Sequence, residues 1–312
     1  MGKTVKAVKP YIYKNNSNFK LAVYNAWVEA GGKHVSERPY EHLYESLSYH
    51  LPLPTLFQSK KQARLRFVEA ANLPFDTFPD YLCYEIIPMF WDCWPRFFDK
   101  VAAWLKRHQV RTAFFTSSQT AERMRSLCPN VNINHLPEAI ETELYHAGKP
   151  LSERSIDYLE FGRCSRILDS TQFDKSIIVL SSRNERTGLK TRAQLADALA
   201  DSKITLALTR LDNQPELAEG VDTLTQRYWE CMLSGVVILG RAPQELIDII
   251  GYDPVVHLDK DNANDQILGI LEHIEDYQEL VDRNRQRALE HGDWKVRIEW
   301  MMGVMKKQGY EV

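Results

Sequence analysis

Residues 220–240 read GVDTLTQRYWECMLSGVVILG. Thr223 and Gln226 have the S/T-x-x-E/Q spacing of a capping box, which predicts a helix starting near Thr223. Leu224, Tyr228, Cys231 and Met232 then share one face. Thr223, Gln226, Arg227, Glu230 and Ser234 share another by the i, i+3, i+4 rule. The residues VVILG that follow are a short apolar run of the kind that forms a buried strand. Glu230 is therefore a carboxylate in a helix that leads directly into a core. It has two readings. In one, the helix turns that face to water and Asp222 is a plain turn residue. In the other, the face binds a ligand. A helix start offers free N–H groups and a positive dipole end, which favour phosphate. A carboxylate about two turns further on accepts hydroxyls. A nucleotide has both groups at that separation.

The same alternation of short apolar runs with helical patterns extends in both directions. Strands are expected at 6–13, 81–88, 110–117 and 131–136, with helices at 20–31, 94–108 and 118–127. A polar stretch with Gly and Pro, HAGKPLSERS (146–155), reads as a linker. Beyond it, strands are expected at 156–162, 176–182, 203–209, 236–240 and 255–259. Helices fill 191–202, 242–250 and most of 263–309. Near-continuous apolar strands between helices imply parallel sheets covered on both faces. The fold class is α/β, with two Rossmann-like doubly wound domains facing a cleft. The first is expected to span 1–150. The second is expected to span 151–312, to carry the nucleotide face described above and to end in helices. Ligands in such sheets bind beyond the carboxyl ends of the strands, and the linker is an expected hinge.

Composition excludes several classes. A chain of 312 residues with 44% hydrophobic and 26% charged residues is globular. A formal net charge of −3 does not provide the basic surface that nucleic-acid binding needs. The five cysteines are odd in number and never spaced C-x-x-C, so reduced thiols in a cytoplasmic protein are expected. The start, MGKTVKAVKPYIY, has no apolar h-region of a signal peptide. No run reaches the roughly 18 apolar residues of a spanning helix.

Asp222 and Glu230, with seven residues between them and Cys-Met-Leu-Ser-Gly and an apolar strand after Glu230, resemble the acidic-x7-Glu signature of GT-B glycosyltransferases of the bacterial surface-polysaccharide type. LPEAIETELY (136–145) resembles that family's interdomain segment, which usually reads V-P-N-G-I-D-T-x-x-F. The residues FGR at 161–163 resemble its F-V-G-R strand end. The resemblance covers about 136–260. It implies that Glu230 holds the ribose, that Asp222 contacts the donor sugar, and that the amides of Thr223, Leu224 and Thr225 bind the diphosphate. Arg163 would face the diphosphate. It further implies a nucleotide-sugar donor as substrate, no cofactor, no required metal, and a glycan or lipid-linked acceptor. This chain departs from the pattern in having Asp222 where Glu is usual and in lacking the Lys-Gly after the strand-end Arg, where Arg166 is the nearest basic residue.

Other residues have functional and plain readings side by side. Arg227 shares Glu230's face at the helix start and suits a leaving diphosphate. Arg183, Arg186 and Lys190 lie in the basic loop SSRNERTGLK and would do the same work, or be solvated. Asp92, in IIPMFWDCWPRFF (86–98), is either the general base for the acceptor hydroxyl or a helix cap. His34 and His135 are alternative bases. KNNSNF (14–19) would line the cleft or be a plain polar loop. The Trp and Phe stripe at 94–105 reads as core; an exposed stripe would imply peripheral membrane association. The expected activity is glycosyl transfer in glycan or polysaccharide biosynthesis. A nucleotide-sugar epimerase or hydrolase and a non-catalytic nucleotide-sugar-binding protein are the alternatives.

Overall fold

A computed structural model describes residues 2–10, 19–35, 53–162, 168, 170–182 and 189–312. In chain order it contains β1 (Lys3–Val8), α1 (Phe19–Glu29), β2 (His34–Val35), β3 (Gln62–Glu69), β4 (Glu85–Trp91), α2 (Phe98–Arg107), β5 (Thr112–Phe115), α3 (Ser118–Leu127) and β6 (Asn132–His135). There follow β7 (Ile156–Glu160), β8 (Val179–Ser181), α4 (Arg192–Ala200), β9 (Ser202–Ala207), α5 (Gln226–Ser234), β10 (Val237–Gly240), α6 (Gln244–Ile250) and β11 (Val256–His257). The chain ends with α7 (Ala263–Glu272), α8 (Gln278–His291), α9 (Trp294–Lys307) and β12 (Tyr310–Glu311).

Two compact units result, one of Met1–Glu138 with Trp294–Val312 and one of Ala139–Asp293. The sequence reading places 151–312 together, but the last helix and strand belong to the first unit. The expected linker at 146–155 is packed within the second. Leu151 and Arg154 are buried there, and the Arg154 guanidinium donates to the carbonyls of Lys149, Ser202 and Ser234. Gly148 sits so close to the Ala200 carbonyl that a Cβ would lie 1.6 Å from its oxygen. The mostly exposed stretch 146–155 is thus anchored within the second unit through Leu151 and Arg154.

Among the described residues every strand pair is parallel. In the second unit the order is β11-β10-β9-β7-β8, the flavodoxin-like order in which the chain leaves β7 for one side and then the other. Alternate residues feed two cores. Tyr158, Ile204, Val237 and Leu239 point to one face, and Leu159, Ala207 and Ile238 to the other. The first unit runs β12-β1-β3-β4-β5-β6, and β2 pairs with the carboxyl end of β1. Its switch point lies between β1 and β3.

The strand β3 is central and has no counterpart in the sequence expectation. Arg64, Arg66 and Glu69 interrupt its apolar pattern and hide it. Arg64 and Arg66 are accommodated because Asp80 lies beside both, at 3.8 Å and 2.8 Å, and Arg64 stacks 3.7 Å from the Tyr84 ring centroid. The aromatic stripe at 94–105 becomes a short 3-10 turn followed by α2. Val101 and Leu105 are buried, and Phe97, Phe98 and Trp104 pack partly buried against the same core. The exposed stripe that would imply membrane association is not formed. Among the described residues no helix is long and apolar enough to cross a membrane.

Candidate functional site

At the carboxyl end of β7, Phe161 and Gly162 meet the first turn of α5. Gly162 has φ +69, and a Cβ there would lie 1.9 Å from an Nη atom of Arg227. The Arg227 guanidinium carbon stands 4.9 Å from the centre of the Phe161 ring. The strand end and the helix start, read separately in sequence, are one surface. It lies at the switch point between β7 and β9, where doubly wound sheets bind ligands.

The helix α5 is placed by its core residues. Tyr228, Trp229, Met232 and Leu233 are fully buried. Burying side chains of this size contributes roughly 1.5–3 kcal/mol each, enough to carry a neighbouring carboxylate into an unfavourable place. That carboxylate is Glu230, part-buried. The Tyr145 hydroxyl donates to its Oε1 at 2.8 Å, its one hydrogen bond among the described residues. Burial raises the Glu230 pKa, and the Tyr145 bond with the Arg227 and Arg192 charges offsets only part of that rise. Tyr145 is itself raised, by burial first and by the Glu230 charge second. Arg192, at the start of α4, pairs with Glu141 and also acts on the Tyr145 hydroxyl. The helix α4 begins with a full capping box between Thr191 and Gln194.

The expected helix start at Thr223 is corrected. Thr225 is the N-cap, in extended conformation, its side chain makes no capping bond, and Gln226 is the first helical residue. The reason is Glu245 on α6. Its buried carboxylate accepts from the Leu224 amide at 2.8 Å and the Thr223 hydroxyl at 3.3 Å, which holds that segment out of the helix. The Leu224 amide is thereby committed to Glu245 rather than turned toward a phosphate. Among the predicted amides, Thr225 stands nearest the helix start.

Asp222 is gripped by Arg241, which directly follows β10. Two guanidinium nitrogens donate to its two oxygens at 2.8 and 3.0 Å. The same guanidinium donates to Asp212 and to the Thr209 hydroxyl. Its pKa is raised, chiefly by the Asp222 hydrogen bonds. Lys190 is exposed just before α4. Arg163, Arg166, Arg183, Arg186 and residues 14–18 lie outside the described residues.

In the first unit, Asp92 follows β4 directly and is exposed, with φ +48. It does not cap the following turn, where Trp94 holds that position. A non-glycine residue with left-handed backbone at the carboxyl end of a central strand is a strained and accessible carboxylate. His34 is exposed on β2, and His135 ends β6 part-buried. Sequence reasoning missed Tyr145, Arg192, Arg241 and Glu245. Tyr145 and Arg241 lie inside or beside quoted motifs, but no local pattern shows what they touch. Among the described residues no group of three or more His, Cys, Asp or Glu side chains could hold a metal ion. Cys83, Cys93, Cys128 and Cys231 are free thiols.

Residues 166–303 match the family model described as glycosyl transferase-like. None of the curated proteins matches in sequence. The chain is similar in fold to sucrose-phosphate synthase from Thermosynechococcus elongatus, with TM-score 0.63 and 11% identity over 98% of this chain and 99% of that one. It is also similar to Anabaena HepE, solved in complex with UDP-glucose, with TM-score 0.57 and 8% identity over 97% and 99% of the two chains. A glycosyltransferase from Rickettsia africae matches with TM-score 0.50 and 9% identity over 98% of each chain. The GT-B resemblance read from residues 136–260 is borne out by the family match and by the fold.

Proposed function

We propose that the protein is a glycosyltransferase that moves a sugar from a nucleotide-sugar donor to an acceptor hydroxyl in glycan or polysaccharide biosynthesis. The observation that carries this is Glu230, a part-buried carboxylate beside Arg227 at the switch point of a doubly wound sheet. A ribose hydroxyl would donate to Glu230. The diphosphate would lie at the α5 start, against Arg227, with Arg163, Arg183 and Lys190 as further cations. Asp222, held by Arg241, would contact the donor sugar.

In the reaction, the acceptor oxygen bonds to the anomeric carbon as the bond from that carbon to the phosphate oxygen breaks. The diphosphate takes the bonding pair. Arg227 and the helix dipole stabilise the growing charge where it develops, so the chemistry needs no metal ion. Asp92 would take the proton of an acceptor bound to the first unit, a glycan or lipid-linked hydroxyl. The protein would act in the cytoplasm.

Thermal-shift screening against nucleotide sugars identifies the donor through its stabilisation of the folded state. Calorimetry with that donor then tests Glu230→Ala, for which binding should weaken about 10- to 100-fold, as for loss of a charged hydrogen bond. Unchanged affinity in a folded variant would remove Glu230 from the site. Asp92→Asn should lower turnover about 10²- to 10⁴-fold with donor affinity intact. Turnover equal to wild type would exclude Asp92 as the base.

A further inference from the structure

The segment 139–145 joins the second unit at the rim of the α5 helix start and brings Tyr145 to Glu230. We infer that Tyr145, backed by Arg192, is the positioning residue of the ribose site: its hydroxyl fixes Oε1 of Glu230 and leaves Oε2 for the nucleotide. This rests on the reading of Glu230 as the ribose acceptor. The geometry is one short bond with a charge behind it: the Tyr145 hydroxyl donates to Glu230 at 2.8 Å, and the Arg192 guanidinium, paired with Glu141, acts electrostatically on that hydroxyl. Tyr145 is 4% exposed, so the hydroxyl has little freedom to turn elsewhere. Its burial raises its own pKa, which keeps it a proton donor through the physiological range. A carboxylate with one oxygen tied down presents the other in a fixed direction. That is what selection of a paired ribose hydroxyl requires.

The arrangement makes a pH signature. The charged and titratable groups that act on Glu230 are Arg227 from its own helix, Arg192 from α4, and Tyr145 from the segment before β7. Burial raises the Glu230 pKa, and these three hold it down. Donor affinity should therefore fall as pH drops through that raised pKa, because a protonated carboxyl loses acceptor strength. Removing the Tyr145 hydroxyl lets the pKa rise further, so affinity is lost at higher pH.

The test is isothermal calorimetry across pH 5 to 8.5. The probe is whichever of UDP, GDP, ADP, CDP and dTDP binds wild type most tightly. The proteins are wild type, Tyr145→Phe, Arg192→Gln and Glu230→Gln. Thermal melts without ligand report folding separately. Tyr145→Phe should bind about 3- to 10-fold more weakly at pH 8. Its affinity should fall away at a higher pH than wild type's, and Arg192→Gln should move the profile the same way by less. Should Tyr145→Phe fail to fold, the Arg192→Gln profile decides the matter alone. A Glu230→Gln variant that binds weakly, beside a Tyr145→Phe profile identical to wild type, would overturn the positioning role and leave Glu230 in place. Glu230→Gln binding as wild type, or no nucleotide binding at all, would instead overturn the reading beneath it.

Discussion

Glu85, buried at the start of a strand in the first unit, and Glu230, part-buried on a helix in the second, are carboxylates drawn into the protein and treated in opposite ways. Glu85 begins β4, at the amino edge of its sheet, and is 1% exposed. Lys3 from β1, Arg111 before β5 and the Tyr310 hydroxyl from β12 all donate to it. Burial alone would raise its pKa, yet these bonds leave it below the ordinary value of 4.5. Glu230 lies at the carboxyl edge with one hydroxyl donor and more distant cations, and burial wins. The lesson concerns satisfaction rather than burial. A buried carboxylate whose oxygens are fully bonded ties strands together. One left under-bonded at the ligand edge has acceptor capacity to spend on a ligand.

The contrast can be broken at Glu85 with the largest effect. Glu85→Gln removes the buried counter-charge of Lys3 and Arg111, which are themselves partly exposed, and should destabilise the protein by about 2–3 kcal/mol at pH 7, read by urea unfolding. The folded-state pKa is depressed, so this stability is present above the unfolded pKa and lost as pH falls through the folded one. The gap between variant and wild type should therefore narrow below about pH 4.5. A gap that persists unchanged in acid would mean that Glu85 stabilises through shape, not charge.

A smaller effect is expected at Gly162. Gly162→Ala puts a methyl group where Arg227 lies and forces an L residue into left-handed backbone, at about 1 kcal/mol of stability. Arg227 must then move from the strand end. Glu230 would lose part of the charge that restrains its pKa, and the pH profile of donor affinity should shift upward. A shift in stability with no change in that profile would separate Arg227 from Glu230.

The smallest effect sharpens the contrast by its sign. Glu230 has a raised folded pKa, so its ionisation costs stability as pH rises through that range. Glu230→Gln should stabilise the unliganded protein by up to about 1 kcal/mol at neutral pH while weakening donor binding. A loss of stability comparable to that of Glu85→Gln would make Glu230 a structural carboxylate like its counterpart.

The parts of the fold that were legible are those whose signal is local. The run at 236–240 became β10, and Tyr228, Cys231 and Met232 became the buried side of α5, with Trp229 and Leu233 added. Phe161 and Gly162 were readable as a strand end. The start of α5 was misplaced by a capping pattern that is present in sequence and unused in the fold, because Glu245 twenty-one residues away takes the Leu224 amide. The central strand β3 was illegible because its arginines are neutralised by Asp80, which is distant in sequence from both.

By itself the sequence determined the α/β class and the parallel sheets, and it marked the segment proposed to hold a nucleotide, since periodicity and short spacings are properties of neighbours along the chain. Only the tertiary structure decided which charges are spent. Arg241 holds Asp222, Glu245 holds Leu224, and Tyr145 reaches across 85 positions to Glu230. The balance between burial and hydrogen bonding that sets a carboxylate's role depends on groups the chain brings together from far apart, and no local pattern encodes it.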